Sequence, residues 1–135
     1  MMVLNPDKLI PAKLPHQEWM REQMPLFECP DPDIQQTYYF RWSVFRKHLR
    51  KTPDGYVVTE FLPDVAWAGK HNTIACAAGH HFYEGRWLQN SQVLADYARF
   101  WFRRGGHPVK YSFWAADAIY NWCRVTGDFG PALDL

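Results

Sequence analysis

Residues 111–128, Tyr-Ser-Phe-Trp-Ala-Ala-Asp-Ala-Ile-Tyr-Asn-Trp-Cys-Arg-Val-Thr-Gly-Asp, decide how the rest of the chain is read. They predict a helix with Ser112 as its N-cap and Gly127 as its stop. A surface helix keeps one polar side. This one distributes Phe113, Trp114, Tyr120 and Trp122 around most of its circumference and sets a single carboxylate, Asp117, among alanines. A helix of that kind is either buried in a larger body or lines an aromatic cleft.

The preceding segments repeat the pattern. Gln92–Arg103 carries Val93, Leu94, Tyr97, Ala98, Trp101 and Phe102 as an apolar stripe and ends in Arg103-Arg104-Gly105-Gly106, a basic last turn followed by glycine. Thr73–Leu88 predicts another helix, in which Ala75, Ala77, Ala78, Gly79 and Gly85 leave little bulk. A glycine inside a helix costs ~1 kcal/mol against alanine, so Gly79 calls for a packing or ligand reason. Further upstream, Ile34, Tyr38, Trp42, Phe45 and Leu49 recur in steps of three and four. Asp33 is read as the N-cap of that helix, with Gln36 completing a capping box. Arg46, Lys47, Arg50 and Lys51 are read as its basic C-terminal end. Pro53-Asp54-Gly55 turns the chain, Tyr56–Leu62 is a short strand or extended segment, and Trp67 sits in a loop. Residues 1–33 hold Pro6, Pro11, Pro15, Pro25, Pro30 and Pro32 and predict an extended arm or linker with one short turn near His16–Gln23.

One domain is the natural expectation for 135 residues. Aromatic residues make up 17%, which favours a large core or a ligand surface. A formal charge of +1 gives no basic patch for nucleic acid. No apolar run nears the ~20 residues that cross a bilayer, and no secretory signal opens the chain. Cys29, Cys76 and Cys123 are odd in number and far apart, which argues against a disulfide framework and for a reducing, cytoplasmic setting.

Several groups are candidates for chemistry, each with a plainer alternative. His80 and His81, with His71 and Glu84 nearby, invite a metal. Adjacent helical residues diverge by about 100°, and no His-Glu-x-x-His or Cys-x-x-Cys spacing exists, so no metal or cofactor is expected. Cys76 and His80 stand four apart, but a structural cysteine is the ordinary occupant of so alanine-rich a helix. Glycoside hydrolysis needs two carboxylates, about 6.5–9.5 Å apart in inverting enzymes. Glu60, Asp64, Glu84, Asp117 and Asp128 are available. Asp64 lies beside Trp67 and Asp117 amid aromatics; each either binds a sugar hydroxyl or pairs with arginine. Tyr39, Arg41, Trp42 and Trp67 fit stacking on a sugar's C–H face, with core packing as the alternative.

Tyr38–Trp42, Thr59–Lys70, Ala77–Trp87 and Ser112–Asp117, taken as whole strings, resemble the six-hairpin glycosidases. Within that group the similarity is to mannosylglycerate-hydrolase-like glycoside hydrolases, and it covers about residues 35–130. The resemblance implies a mainly helical partial (α/α)6 toroid of about two hairpins, with residues 34–135 as the N-terminal part of the domain. It also implies an inverting, two-carboxylate glycosidase. The acid and base regions of such enzymes have no counterpart here, so the chain is expected to be one wall of a sugar pocket and inactive alone. By position, Tyr39, Arg41, Trp42, Asp64, Trp67, His80, His81, Trp114 and Asp117 become the expected carbohydrate contacts. An open toroid segment leaves apolar faces uncovered, so the isolated chain is expected to self-associate. The competing readings are a compact non-enzymatic helical interaction module and a carbohydrate-binding remnant without turnover.

Overall fold

A computed structural model describes residues 4–111 and 114–135. Ser112 and Phe113, read above as cap and first turn of the last helix, lie outside the described residues. The chain divides into two compact units, Met1–Lys47 and His48–Leu135.

The first unit contains α1 (Pro6–Leu9), α2 (Gln17–Gln23) and nearly all of α3 (Pro32–His48). The proline-rich arm packs along α3. Proline leaves few backbone donors for regular pairing, so tyrosine hydroxyls from α3 satisfy the extended stretch. Tyr38 Oη donates to the Pro25 carbonyl at 2.5 Å. Tyr39 Oη donates to the Phe27 carbonyl at 2.8 Å and accepts the Phe27 N–H at 3.1 Å. Trp19 of α2 lies against Trp42, with centroids 6.3 Å apart.

The N-cap of α3 is Asp31, not Asp33. Asp31 Oδ1 accepts the N–H groups of Asp33 and Ile34 at 2.9 and 3.2 Å. The physical reason is Pro32, whose fixed φ suits the first helical position and shifts the cap two residues upstream. The other end differs too. Arg50 and Lys51 belong to a strand, because β1 (Leu49–Thr52) pairs antiparallel with β2 (Gly55–Val58) through Leu49↔Val58 and Thr52↔Gly55. Gly55 holds a φ of 99°, a conformation that glycine adopts without steric cost.

The second unit is built on this hairpin and on α4 (Ala75–Gly85), α5 (Gln92–Arg103), α6 (Ala115–Thr126) and α7 (Gly130–Leu133). Strand β2 packs on α5, α4 on α6, and α7 on α6. Val57 and Val58 are buried, and Asp96 of α5 accepts the Tyr56 N–H at 3.2 Å. The core is aromatic: Phe82 stacks on Tyr97 at 5.1 Å, and Tyr97 meets Trp101 edge-on at 5.8 Å. The α5 stripe is buried as its periodicity demands, except Phe102, which is exposed. Gly127 stops α6 at a φ of 74°. The described residues are thus mainly helical, with one short two-stranded sheet.

Candidate functional site

Helix α4 offers adjacent residues to two different neighbours, and Gly79 explains the closeness of one. A Cβ built on Gly79 would lie 1.0 Å from Trp114 Nε1, so the indole occupies the space that any side chain would take. This is the packing reason that a mid-helix glycine demanded. His80 meets Trp114 edge-on, with centroids 4.8 Å apart, and Tyr83 approaches it at 6.2 Å. Tyr83 Oη donates to Asp117 Oδ2 at 2.6 Å. That hydrogen bond to a carboxylate raises the Tyr83 phenol above its ordinary value, with burial and the Asp117 charge adding to the shift. Asn121, one turn beyond Asp117, donates from Nδ2 to Asp117 Oδ1 at 3.1 Å and to Tyr83 Oη at 2.9 Å. Asp117 therefore has both oxygens engaged while remaining exposed. Arg86 closes the patch with its guanidinium 4.7 Å over Tyr83 and 5.1 Å over Trp87.

Trp114 also lines an open cleft of about 520 Å³ along α6, together with Phe102, Ala116, Asp117, Ile119 and Tyr120 among others. Trp114 and Tyr120 are about half exposed. The arrangement is a flat aromatic surface bordered by a carboxylate, an amide and an imidazole, which is what a polyhydroxylated ring requires of a protein surface.

His81 points elsewhere, as its position one residue from His80 dictates. Its Nδ1 lies 3.0 Å from Tyr97 Oη, and its Nε2 lies 3.6 Å from Glu60 Oε2. Tyr97 is fully buried, and burial drives its phenol far above the ordinary range. The two residues on the loop side have different surroundings. Asp64 is held by both nitrogens of Arg50, at 3.0 and 2.8 Å, and the Arg50 hydrogen bonds lower its carboxyl below the usual value. Trp67 is exposed and touches Phe61 edge-on at 4.6 Å. The cavity beside Trp67 measures about 50 Å³, room for water and not for a sugar ring.

In the first unit, Tyr39 and Trp42 are buried, with the Tyr39 hydroxyl committed to Phe27, and Arg41 is exposed. Within the second unit, then, the structure brings His80, Trp114 and Asp117 into one patch. Asp64, Trp67 and His81 have their own separate partners. Tyr83 and Asn121 escaped the sequence reading. Their signal was present in the helical spacing: Tyr83 follows His80 by three, and Asn121 follows Asp117 by four.

Among the described residues no group of three His, Cys, Asp or Glu side chains is placed to hold a metal ion. No helix among them is long and apolar enough to cross a membrane.

Residues 70–135 match the family model of the mannosylglycerate hydrolase MGH1-like glycoside hydrolase domain. A solved structure named "Sialidase" is similar to the chain at a TM-score of 0.81 and 44% identity, over 87% of this chain and 11% of that one. The chain thus spans only a small share of the solved protein that it matches. No curated protein matches it. The resemblance read from the sequence is shown: over residues 70–135, the stretch that contains α4, α5, α6 and the Trp114 patch, this chain is similar to the MGH1-like glycoside hydrolase domain.

Proposed function

We propose that this chain supplies one wall of a carbohydrate pocket in a glycoside hydrolase of the inverting, two-carboxylate kind, and that it does not turn over substrate by itself. The observation that carries the reading is the Trp114 patch lying within the family match. Trp114 offers the stacking ring, His80 and Asn121 border it, and Asp117 orients the polar edge. The expectation of inactivity is supported by two of the candidate carboxylates: Asp64 is tied to Arg50, and Asp117 to Tyr83 and Asn121. A carboxylate so engaged exchanges one of these partners before it serves a glycosidic oxygen or a water. In this reading residues 1–33 are the arm and residues 34–135 the opening part of an (α/α)6 toroid. The free cysteines support a cytoplasmic setting, and the exposed aromatics along α6 support self-association of the isolated chain.

The test is a titration of the 135-residue chain with methyl α-D-mannopyranoside, followed by tryptophan fluorescence, beside a turnover assay with aryl glycosides. Binding without turnover, lost in Trp114→Ala, is expected. Absence of binding would sink the pocket-wall reading, and turnover that vanishes in Asp117→Asn would overturn the claim of inactivity. A non-enzymatic interaction module is the second reading, favoured by the way the arm packs on α3 to make a compact first unit.

A further inference from the structure

The small cavity beside Trp67 has a lining unlike that of the α6 cleft. On the cleft, Asp117 is the one charged side chain among the described residues. The cavity instead carries Lys70, His107 and Lys110, and none of the described residues that line it is acidic. Its volume of about 50 Å³ is several times the ~10–15 Å³ that a single water needs, though too little for a sugar ring. Trp67 and Tyr111 also line it, with 67% and 50% of their surfaces exposed, so both rings are open to a guest.

The donors around this cavity are only partly spent. Lys70 Nζ lies 2.6 Å from Asp54 Oδ2 and donates to the Arg104 carbonyl at 2.9 Å, which uses two of its three protons. Asp54 offsets much of the Lys70 charge, so the excess falls to Lys110 and His107. Both are exposed, and among the described residues neither has a carboxylate partner. The backbone offers less. The Gly106 N–H donates to the Phe100 carbonyl at 3.0 Å and the Gly69 N–H to the Thr73 carbonyl at 2.9 Å, so a guest meets mainly side chains. Gly105, at a φ of 98°, lets the end of α5 close on Lys70: a Cβ there would lie 3.2 Å from Lys70 Cδ. Like charges gathered around one small space repel one another, and an anion between them removes that cost.

We propose that this cavity receives the carboxylate of an acidic sugar, held by Lys110, His107 and the remaining proton of Lys70, with the sugar ring outside against Trp67. Size separates the two parts of the ligand: a carboxylate enters where a ring does not. Hydrogen bonds between charged partners are roughly twice as strong as neutral ones, and the Trp67 face offers a surface for the ring's C–H groups. A free inorganic anion shares the first of these attractions and lacks the second. The inference takes from the reading above only that the ligand is a carbohydrate, and it uses no residue of the Trp114 patch.

The experiment titrates D-glucuronate, D-glucose and inorganic phosphate, by NMR shift perturbation, into the 135-residue chain and into Lys110→Ala, Lys110→Arg and Trp67→Ala, with thermal melts of each. Glucuronate is expected to bind about tenfold or more tightly than glucose and to shift the Trp67 indole N–H. Lys110→Ala should weaken glucuronate about tenfold with its melting temperature kept, and Lys110→Arg should restore most of the loss. Trp67→Ala should weaken glucuronate and leave phosphate unchanged. Equal affinity for glucose and glucuronate, or wild-type affinity in Lys110→Ala, overturns the proposal. Phosphate binding without glucuronate binding means an adventitious ion only and overturns it as well. If methyl α-D-mannopyranoside binds and glucuronate does not, this site falls and the pocket wall stands. The reverse result keeps this site and sinks the Trp114 reading.

Discussion

At the scale of single residues, two contacts carry sharp expectations. Gly79→Ala gains roughly 1 kcal/mol of helix propensity but places a methyl where the Trp114 indole lies 1.0 Å from the Cβ position. Trp114 is half exposed, so the ring leaves and the helix stays. The expected outcome is a stability change within about 1 kcal/mol by urea denaturation, together with an indole emission change and lost glycoside binding. Because the emission change belongs to Trp114, it disappears in Gly79→Ala/Trp114→Phe. Tyr97→Phe behaves oppositely. It leaves His81 Nδ1 without the hydroxyl 3.0 Å away, inside a buried aromatic core, and should cost about 1–3 kcal/mol in the same assay. A change below a few tenths would show that the hydroxyl is not spent on His81.

At the scale of elements, α3 separates a rule that can be read locally from its exact place. Asp31→Ala removes the acceptor of two backbone N–H groups and should destabilise by about 1 kcal/mol. Asp33→Ala, at a position already inside the helix, should cost only a few tenths in a chemical melt. Equal costs for the two would refute the cap assignment. The bounds of α5 were legible because its apolar period runs unbroken up to two arginines and two glycines. Strand β1 was not legible. Leu49-Arg-Lys-Thr continues a helical charge pattern, and only pairing with Gly55–Val58 makes it a strand.

At the scale of the whole molecule, charge and exposed apolar surface set how the chain responds to its medium. Asp54 receives hydrogen bonds from Lys70 and His71 at 2.6 Å each, which lower its carboxyl below the ordinary 3.8, and Arg50 does the same for Asp64. A carboxyl depressed in the folded state contributes stability that is complete above its unfolded value. The contribution is lost as pH falls through the folded one. Stability should therefore decline below about pH 4, and Asp54→Asn should flatten that decline in acid titrations followed by circular dichroism. An unaltered acid limb would remove Asp54 from the account. The cleft beside Trp114 sets the other expectation: sedimentation velocity should show association that rises with concentration and weakens in Tyr120→Glu. A monomer at all concentrations would mean that this face tolerates water unaided.

Local rules were enough for the four longer helices, their periodic faces and the similarity over residues 70–135, because spacing and whole strings of residues lie along the chain itself. They also flagged Gly79 as a residue in need of a reason. What that reason was, and what each carboxylate does, came only with the fold. Asp64 meets Arg50 across fourteen residues, and Asp117 meets Tyr83 across thirty-four. Glu60 faces a histidine backed by a buried tyrosine. Hydrogen bonds act over about 3 Å of space, without regard to separation in sequence, so whether a carboxylate is spent or open is decided by tertiary structure alone.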